Sequence, residues 1–147
     1  MNPEKLTDSS SEPHVPTGRL LIVDNEPMIV ELLCQIFGEG GYEAVGATSA
    51  EEALAIWREQ AGAFDLVFLD LQLRTRDDGF ELAQMLCAEV PGAKIVFLSG
   101  LPAAYVERME LHPGINFLEK PFTAAELLGM VKRHVRPLVE HRAHSVS

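Results

Sequence analysis

Five short apolar runs alternate strictly with five segments of helical period between Arg19 and Val135, and few folds accept that order. The runs are Arg19 to Val23, Tyr42 to Ala47, Phe64 to Asp70, Lys94 to Leu98 and Ile115 to Leu118. Each is too short for a helix, and most are rich in branched or aromatic side chains that favour extended backbone. Leu66 to Leu69 is apolar at every position, so this strand is expected to be covered on both faces, as in the middle of a parallel sheet. Asp70 ends it. A carboxylate in that place is costly unless it has partners, which puts it at the strand's carboxyl end rather than inside the sheet.

The intervening segments carry helix signals. Pro27 suits a first helical turn, and Ile29, Leu32, Leu33, Ile36 and Phe37 follow as an inward stripe. Gly38, Gly40 and Gly41 stop it. Ser49 to Glu52 and Thr123 to Glu126 both fit capping boxes. The first opens a helix with Ala50, Ala53, Leu54 and Trp57 inward, the second a helix with Leu127, Leu128, Val131 and Val135 inward. Between them, Phe80, Ala83, Leu86, Cys87 and Val90 mark a third helix, closed by Pro91-Gly92. A thin stripe of Tyr105, Val106 and Met109 marks another from Pro102 to His112.

Strict alternation implies right-handed crossovers and a doubly wound α/β sheet. Five strands with five helices suit the flavodoxin-like order 2-1-3-4-5, in which ligands bind at the switch point between strands one and three. Asp24, Asn25 and Asp70 then fall side by side. With 147 residues the chain is expected to hold one domain, residues 18–137, between a Ser- and Pro-rich flexible leader, 1–17, and a flexible tail, 138–147. The net charge of -10 argues against nucleic acid as a partner. No apolar run reaches membrane-spanning length and the polar start is unlike a signal peptide, so the expected compartment is the cytoplasm. Cys34 and Cys87 read as buried reduced thiols. His141 and His144 lack a third metal ligand, and Lys132, Arg133 and Arg136 read as charges complementing a helix C-terminus.

The strand ends gather chemistry. Asp24, Asn25 and Asp70 supply oxygens, Ser99 a hydroxyl and Lys120 an ammonium. Oxygen-only ligands suit Mg²⁺, a hard cation commonly shared with phosphate. A hydroxyl and a lysine can hold further phosphoryl oxygens. The set points to phosphoryl transfer with a carboxylate as acceptor.

With these motifs in place, the chain from about Gly18 to Pro137 strongly resembles the receiver domains of two-component response regulators. The residues that carry the resemblance are Val23-Asp24-Asn25-Glu26-Pro27, Asp65 to Asp70, Ser99-Gly100, and Phe117-Leu118-Glu119-Lys120-Pro121-Phe122. The resemblance implies that Asp70 accepts a phosphoryl group from a histidine kinase or histidine phosphotransfer protein. It implies that Asp24, Asn25, Asp70 and the backbone carbonyl of Gln72 hold Mg²⁺, and that Ser99 and Lys120 contact the acyl phosphate. Phe117 takes the aromatic switch position, and a cis Lys120–Pro121 bond is expected. The output face for an output protein would be made by the fourth helix (Pro102 to His112), the fifth strand and the fifth helix, and a homodimer is a further expected partner state. Such a chain is no metabolic enzyme but catalyses its own Mg²⁺-dependent phosphorylation and dephosphorylation. Its origin is a stand-alone regulator or a receiver of a hybrid kinase.

The chain departs from the family pattern in four places, one of them the polar loop after Asp70, which reaches Asp78-Gly79 one residue later than is common. Asn25 stands where a second acid is usual, Arg74 where a proline is usual, and Ser99 where threonine is commoner. Glu26 is acidic but is expected to point along the helix start. The alternative readings are a degenerate receiver that binds partners without phosphorylation, which Asn25 favours, and a small flavodoxin-like cofactor binder. The latter needs a Gly-rich phosphate loop where this chain has Asp24-Asn25-Glu26-Pro27.

Overall fold

The structure, a computed structural model, describes residues 17–74, 78–101 and 116–135. Five strands form one parallel sheet: β1 (Arg19–Val23), β2 (Glu43–Ala47), β3 (Leu66–Asp70), β4 (Ile95–Ser99) and β5 (Phe117–Glu119). Their order is β2-β1-β3-β4-β5, with β1 pairing β3 through Leu20↔Leu66 to Val23↔Leu69. This is the doubly wound, flavodoxin-like arrangement expected from the alternation. Four helices fall within the described residues: α1 (Pro27–Glu39), α2 (Ala50–Glu59), α3 (Asp78–Glu89) and α4 (Ala124–His134). The expected helix from Pro102 to His112, the leader as far as residue 16 and the tail lie outside the described residues.

Every residue of β3 is buried, as its unbroken apolar run requires. Alternate strand residues supply the two faces. Leu21, Val23, Val67, Leu69 and Phe97 pack under α2 and α3 with Trp57, Leu82 and Leu86. Leu20, Ile22, Leu66, Phe68, Val96 and Leu98 pack under α1 and α4 with Leu33, Phe37, Leu127, Met130 and Val131. Phe37 stacks on Phe68 with ring centroids 4.9 Å apart, pinning α1 over the centre of the sheet.

The helix signals hold with local differences. Pro27 opens α1, and the capping box at Thr123 is complete, with Glu126 N donating to Thr123 Oγ1 and Thr123 N to Glu126 Oε1. At α2, Ser49 Oγ accepts from Glu52 N, but the Glu52 carboxylate reaches past Ser49 to the amide of Thr48 at 2.8 Å. The α1 stripe is rotated from the expected one. Val30, Leu33 and Phe37 are buried, whereas Leu32 is 50% and Met28 80% exposed. Gly46 in β2 is the physical reason, since a Cβ there would stand 2.3 Å from Val30 Cγ1. The bare backbone of Gly46 admits Val30, and that turns Leu32 outward. In α3 the deep residues are Gly79, Leu82, Ala83 and Leu86, with Phe80, Cys87 and Val90 at the rim. In α4, Met130 is deep and Leu128 half-buried. Cys34 and Cys87 are free thiols, each only half-buried, and burial raises the pKa of Cys34.

Candidate functional site

Asp24 and Asp70 occupy equivalent places at the carboxyl ends of adjacent strands and use their oxygens in the same way. Asp24 follows β1, is fully buried, and accepts the amide of Glu26 on Oδ1 at 3.0 Å. Asp70 ends β3, is 5% exposed, and accepts the amide of Gln72 on Oδ1 at 2.9 Å. Each carboxylate thus folds its own following turn, a local bond that aspartate makes readily. The second oxygen of each is directed at one ammonium. Lys120 Nζ lies 3.0 Å from Asp24 Oδ2 and 3.3 Å from Asp70 Oδ2.

Lys120 is placed by the sheet. Its amide donates to Ser99 O at 2.8 Å, extending the β4–β5 ladder one step beyond Glu119, and its bond to Pro121 is cis. Ser99, the last residue of β4, is buried, and its Oγ accepts the amide of Leu101 at 2.9 Å. That bond leaves the hydroxyl hydrogen available as a donor. Phe117 is buried with the α2 and α3 face and pairs in register with Phe97. Asn25, Glu26 and Gln72 are exposed at the rim of the site.

The electrostatics follow from this packing. Burial pushes the Asp70 carboxyl above its usual range, with the Gln72 amide and the Lys120 charge opposing and Asp24 reinforcing the shift. Burial works against the Lys120 ammonium, but the Asp24 hydrogen bond and the attraction of Asp70 and Asp24 outweigh it, and its pKa rises. One cation therefore serves two carboxylates.

Two residues beside the site read in the sequence only as the end of the loop after Asp70. Asp78 Oδ1 accepts the amide of Leu73 at 2.7 Å and Oδ2 that of Arg74 at 2.6 Å, so one carboxylate holds the turn after Asp70. Gly79 donates its amide to Leu71 O at 3.0 Å and brings α3 against the end of β3. An Asp-Gly pair just before a helical stripe is a start signal that could have been read. Arg74 points away to an exposed pair with Glu51 at 2.6 Å.

The donor chemistry suits a hard divalent ion in part. Two carboxylates facing one point, those of Asp24 and Asp70, supply oxygen donors of the kind a hard cation takes. Among the described residues no group of three or more His, Cys, Asp or Glu side chains is placed to hold a metal.

Comparison with known proteins bears on what this arrangement is. Residues 20–132 match the response regulator receiver domain family. The chain belongs to that family. The receiver is 36% identical over 121 residues to the nitrogen assimilation regulatory protein NtrX of Azorhizobium caulinodans, covering 81% of this chain and 26% of NtrX. It is 30% identical to protein Rrf1 of Nitratidesulfovibrio vulgaris over 79% of this chain and 81% of that protein. Among solved structures, the CheY-like receiver domain protein from Methanospirillum hungatei superposes with a TM-score of 0.67 at 29% identity, covering 79% of this chain and 91% of the other. The receiver spans about a quarter of the length of NtrX. No helix among the described residues is long and apolar enough to cross a membrane.

Proposed function

We propose that the receiver takes a phosphoryl group onto Asp70 from a phosphohistidine of a histidine kinase or histidine phosphotransfer protein, and that this modification switches its binding to an output protein. The observation that carries the reading is the buried Asp70 carboxylate sharing Lys120 Nζ with Asp24 at the switch point of the sheet. A carboxylate oxygen of Asp70 attacks phosphorus, and the bond from phosphorus to the imidazole nitrogen breaks. The electron pair leaves on that nitrogen, and the product is an aspartyl acyl phosphate with free histidine. Lys120 offers a charge-assisted contact to a phosphoryl oxygen, and the Ser99 hydroxyl a second donor. Asp24, Asn25, Asp70 and the Gln72 carbonyl are the oxygens assigned to Mg²⁺, which when bound neutralises charge on the phosphoryl group.

The output is assigned to the face along β5 and α4. A cleft of about 700 Å³ there is lined by Phe117, Lys120, Pro121, Glu126, Met130 and Arg133, so a change at Lys120 is felt at its wall. The partners imply work in the cytoplasm. Incubation with Mg²⁺ and acetyl phosphate is expected to add one phosphoryl group, localised to Asp70 by peptide mass spectrometry. The Asp70→Asn protein should remain unmodified; the same modification persisting in that variant would refute the assignment.

A further inference from the structure

The turn after Asp70 is held at every amide. Leu71 N donates to Leu98 O at 2.9 Å, Gln72 N to Asp70 Oδ1 at 2.9 Å, Leu73 N to Asp78 Oδ1 at 2.7 Å and Arg74 N to Asp78 Oδ2 at 2.6 Å. The Asp24 turn needs no such hold, because α1 opens at Pro27 directly behind it and Glu26 O accepts the amides of Ile29 and Val30. α3 opens only at Asp78, so the chain behind Asp70 has no helix of its own to set it. Asp78 supplies the hold from the far end of the loop. Its carboxylate takes two amides in charge-assisted bonds, each roughly twice as strong as a neutral one.

Two adjoining residues thereby fix three consecutive peptide planes. Gly79 N donates to Leu71 O at 3.0 Å, on the plane whose other end is the Gln72 amide. A trans peptide is planar and its N–H and C=O point oppositely, so holding Leu71 O aims the Gln72 N–H at Asp70 Oδ1. Asp78 holds the next two planes through Leu73 and Arg74, and the side chains of Leu71 and Leu73 are buried. We propose that Asp78 is a positioning residue for the chemistry at Asp70: it locks the turn so that the Gln72 amide keeps Oδ1 and leaves Oδ2 facing Lys120. The inference rests on the proposed phosphorylation of Asp70. A turn freed from Asp78 lets the carboxylate rotate away from its reacting geometry.

Asp78→Asn tests this, since it keeps one acceptor oxygen and presents an NH2 group to the other amide. In hydrogen exchange on the full chain, the Gln72 amide should exchange about tenfold faster in Asp78→Asn, with Leu21 and Val67 in the sheet unchanged. Phosphorylation by acetyl phosphate should slow about tenfold and remain on Asp70. Asp78→Ser, with one acceptor oxygen in place of two, should move both readings the same way. Arg74→Ala keeps the amide, loses only the exposed pair with Glu51, and should match wild type in both. An unchanged Gln72 amide, or an unchanged rate beside faster exchange, overturns the inference, as does an Arg74→Ala protein as slow as Asp78→Asn. A wild type that acetyl phosphate never modifies refutes the proposed function and the inference together. A wild type modified at Asp70, with both Asp78 variants equal to it, refutes the inference alone.

Discussion

Gly79 lies so close to Asp70 that a Cβ on it would stand 2.0 Å from the Asp70 carbonyl oxygen and 2.7 Å from that of Leu71. Backbone atoms are the obstacle, and neither strand nor helix can yield without moving the other. The position is glycine for want of space, with its amide bonded to Leu71 O. Replacing it by alanine should cost about 3 kcal/mol or more, at the upper end of overpacking effects. Gly129 in α4 has nothing within 4 Å of a built Cβ, so Gly129→Ala should instead stabilise by about 1 kcal/mol through helix propensity. Urea unfolding of the two variants measures both. A small loss at Gly79 would show that α3 slides easily, and the end of β3 with it.

Asp70→Asn should make the protein more stable at neutral pH. Burial raises the Asp70 pKa in the folded state, so the folded form binds the proton more tightly than the unfolded form. The contribution of this group is fully present below the ordinary carboxylate pKa of about 3.9 and is lost as pH rises through the higher folded value. At pH 7 the wild type keeps a buried anion that asparagine does not. The gain should be on the order of 1 kcal/mol and should vanish near pH 3 to 4, where both side chains are neutral. Chemical denaturation at the two pH values checks the sign; a less stable Asp70→Asn at neutral pH would mean that the pair with Lys120 outweighs burial.

Much of this site could be read from the chain because strand ends are punctuated. Apolar runs that stop at Asp24, Asp70, Ser99 and, just before Lys120, at Glu119 placed those residues at the carboxyl ends of the strands before any contact was known. The even sharing of Lys120 between Asp24 and Asp70 was not legible, because it depends on each Asp turning one oxygen back to its own loop. The rotation of α1 escaped for a different reason. It is decided by Gly46 on a neighbouring strand, and helical period alone cannot choose between Leu32 and Val30. Gly79 was visible only as a loop glycine, since its closeness to β3 is a property of packing.

Lys120→Met tests the opposite half of the same electrostatic arrangement. Without the ammonium, two buried carboxylates face one another with only their turn amides as partners. Lys120 is 30% exposed, which weakens the pair through solvent screening, so the loss at neutral pH should be about 1 to 2 kcal/mol rather than the larger figure for a fully buried pair. It should shrink as pH falls through the carboxylate range and one Asp takes up a proton. The raised Lys120 pKa adds an alkaline window of the same sign as that of Asp70: its stabilisation is present below the ordinary lysine pKa of about 10.4 and lost above the raised value. Wild type should therefore weaken on that alkaline limb and Lys120→Met should not. Unfolding midpoints across pH that run parallel in the two proteins would rule the argument out.

Trp57 carries the last prediction. Its ring is 1% exposed, stacks on Phe64 with centroids 5.9 Å apart, and lies against Gly62, where a Cβ would come within 3.1 Å of it. Its Nε1 is buried with no acceptor among the described residues. A buried donor without a partner loses its hydration and recovers nothing, about 1 to 3 kcal/mol. Trp57→Phe removes that donor but leaves a void where the larger ring stood, and the two effects oppose. The net change should fall within about 1 kcal/mol, whereas Trp57→Ala, which keeps only the void, should lose about 3 to 5 kcal/mol. Equilibrium unfolding by circular dichroism reads both variants without relying on the tryptophan signal they lack. If Trp57→Phe loses as much as Trp57→Ala, then the indole N–H has an acceptor and anchors α2 through a hydrogen bond as well as through its bulk.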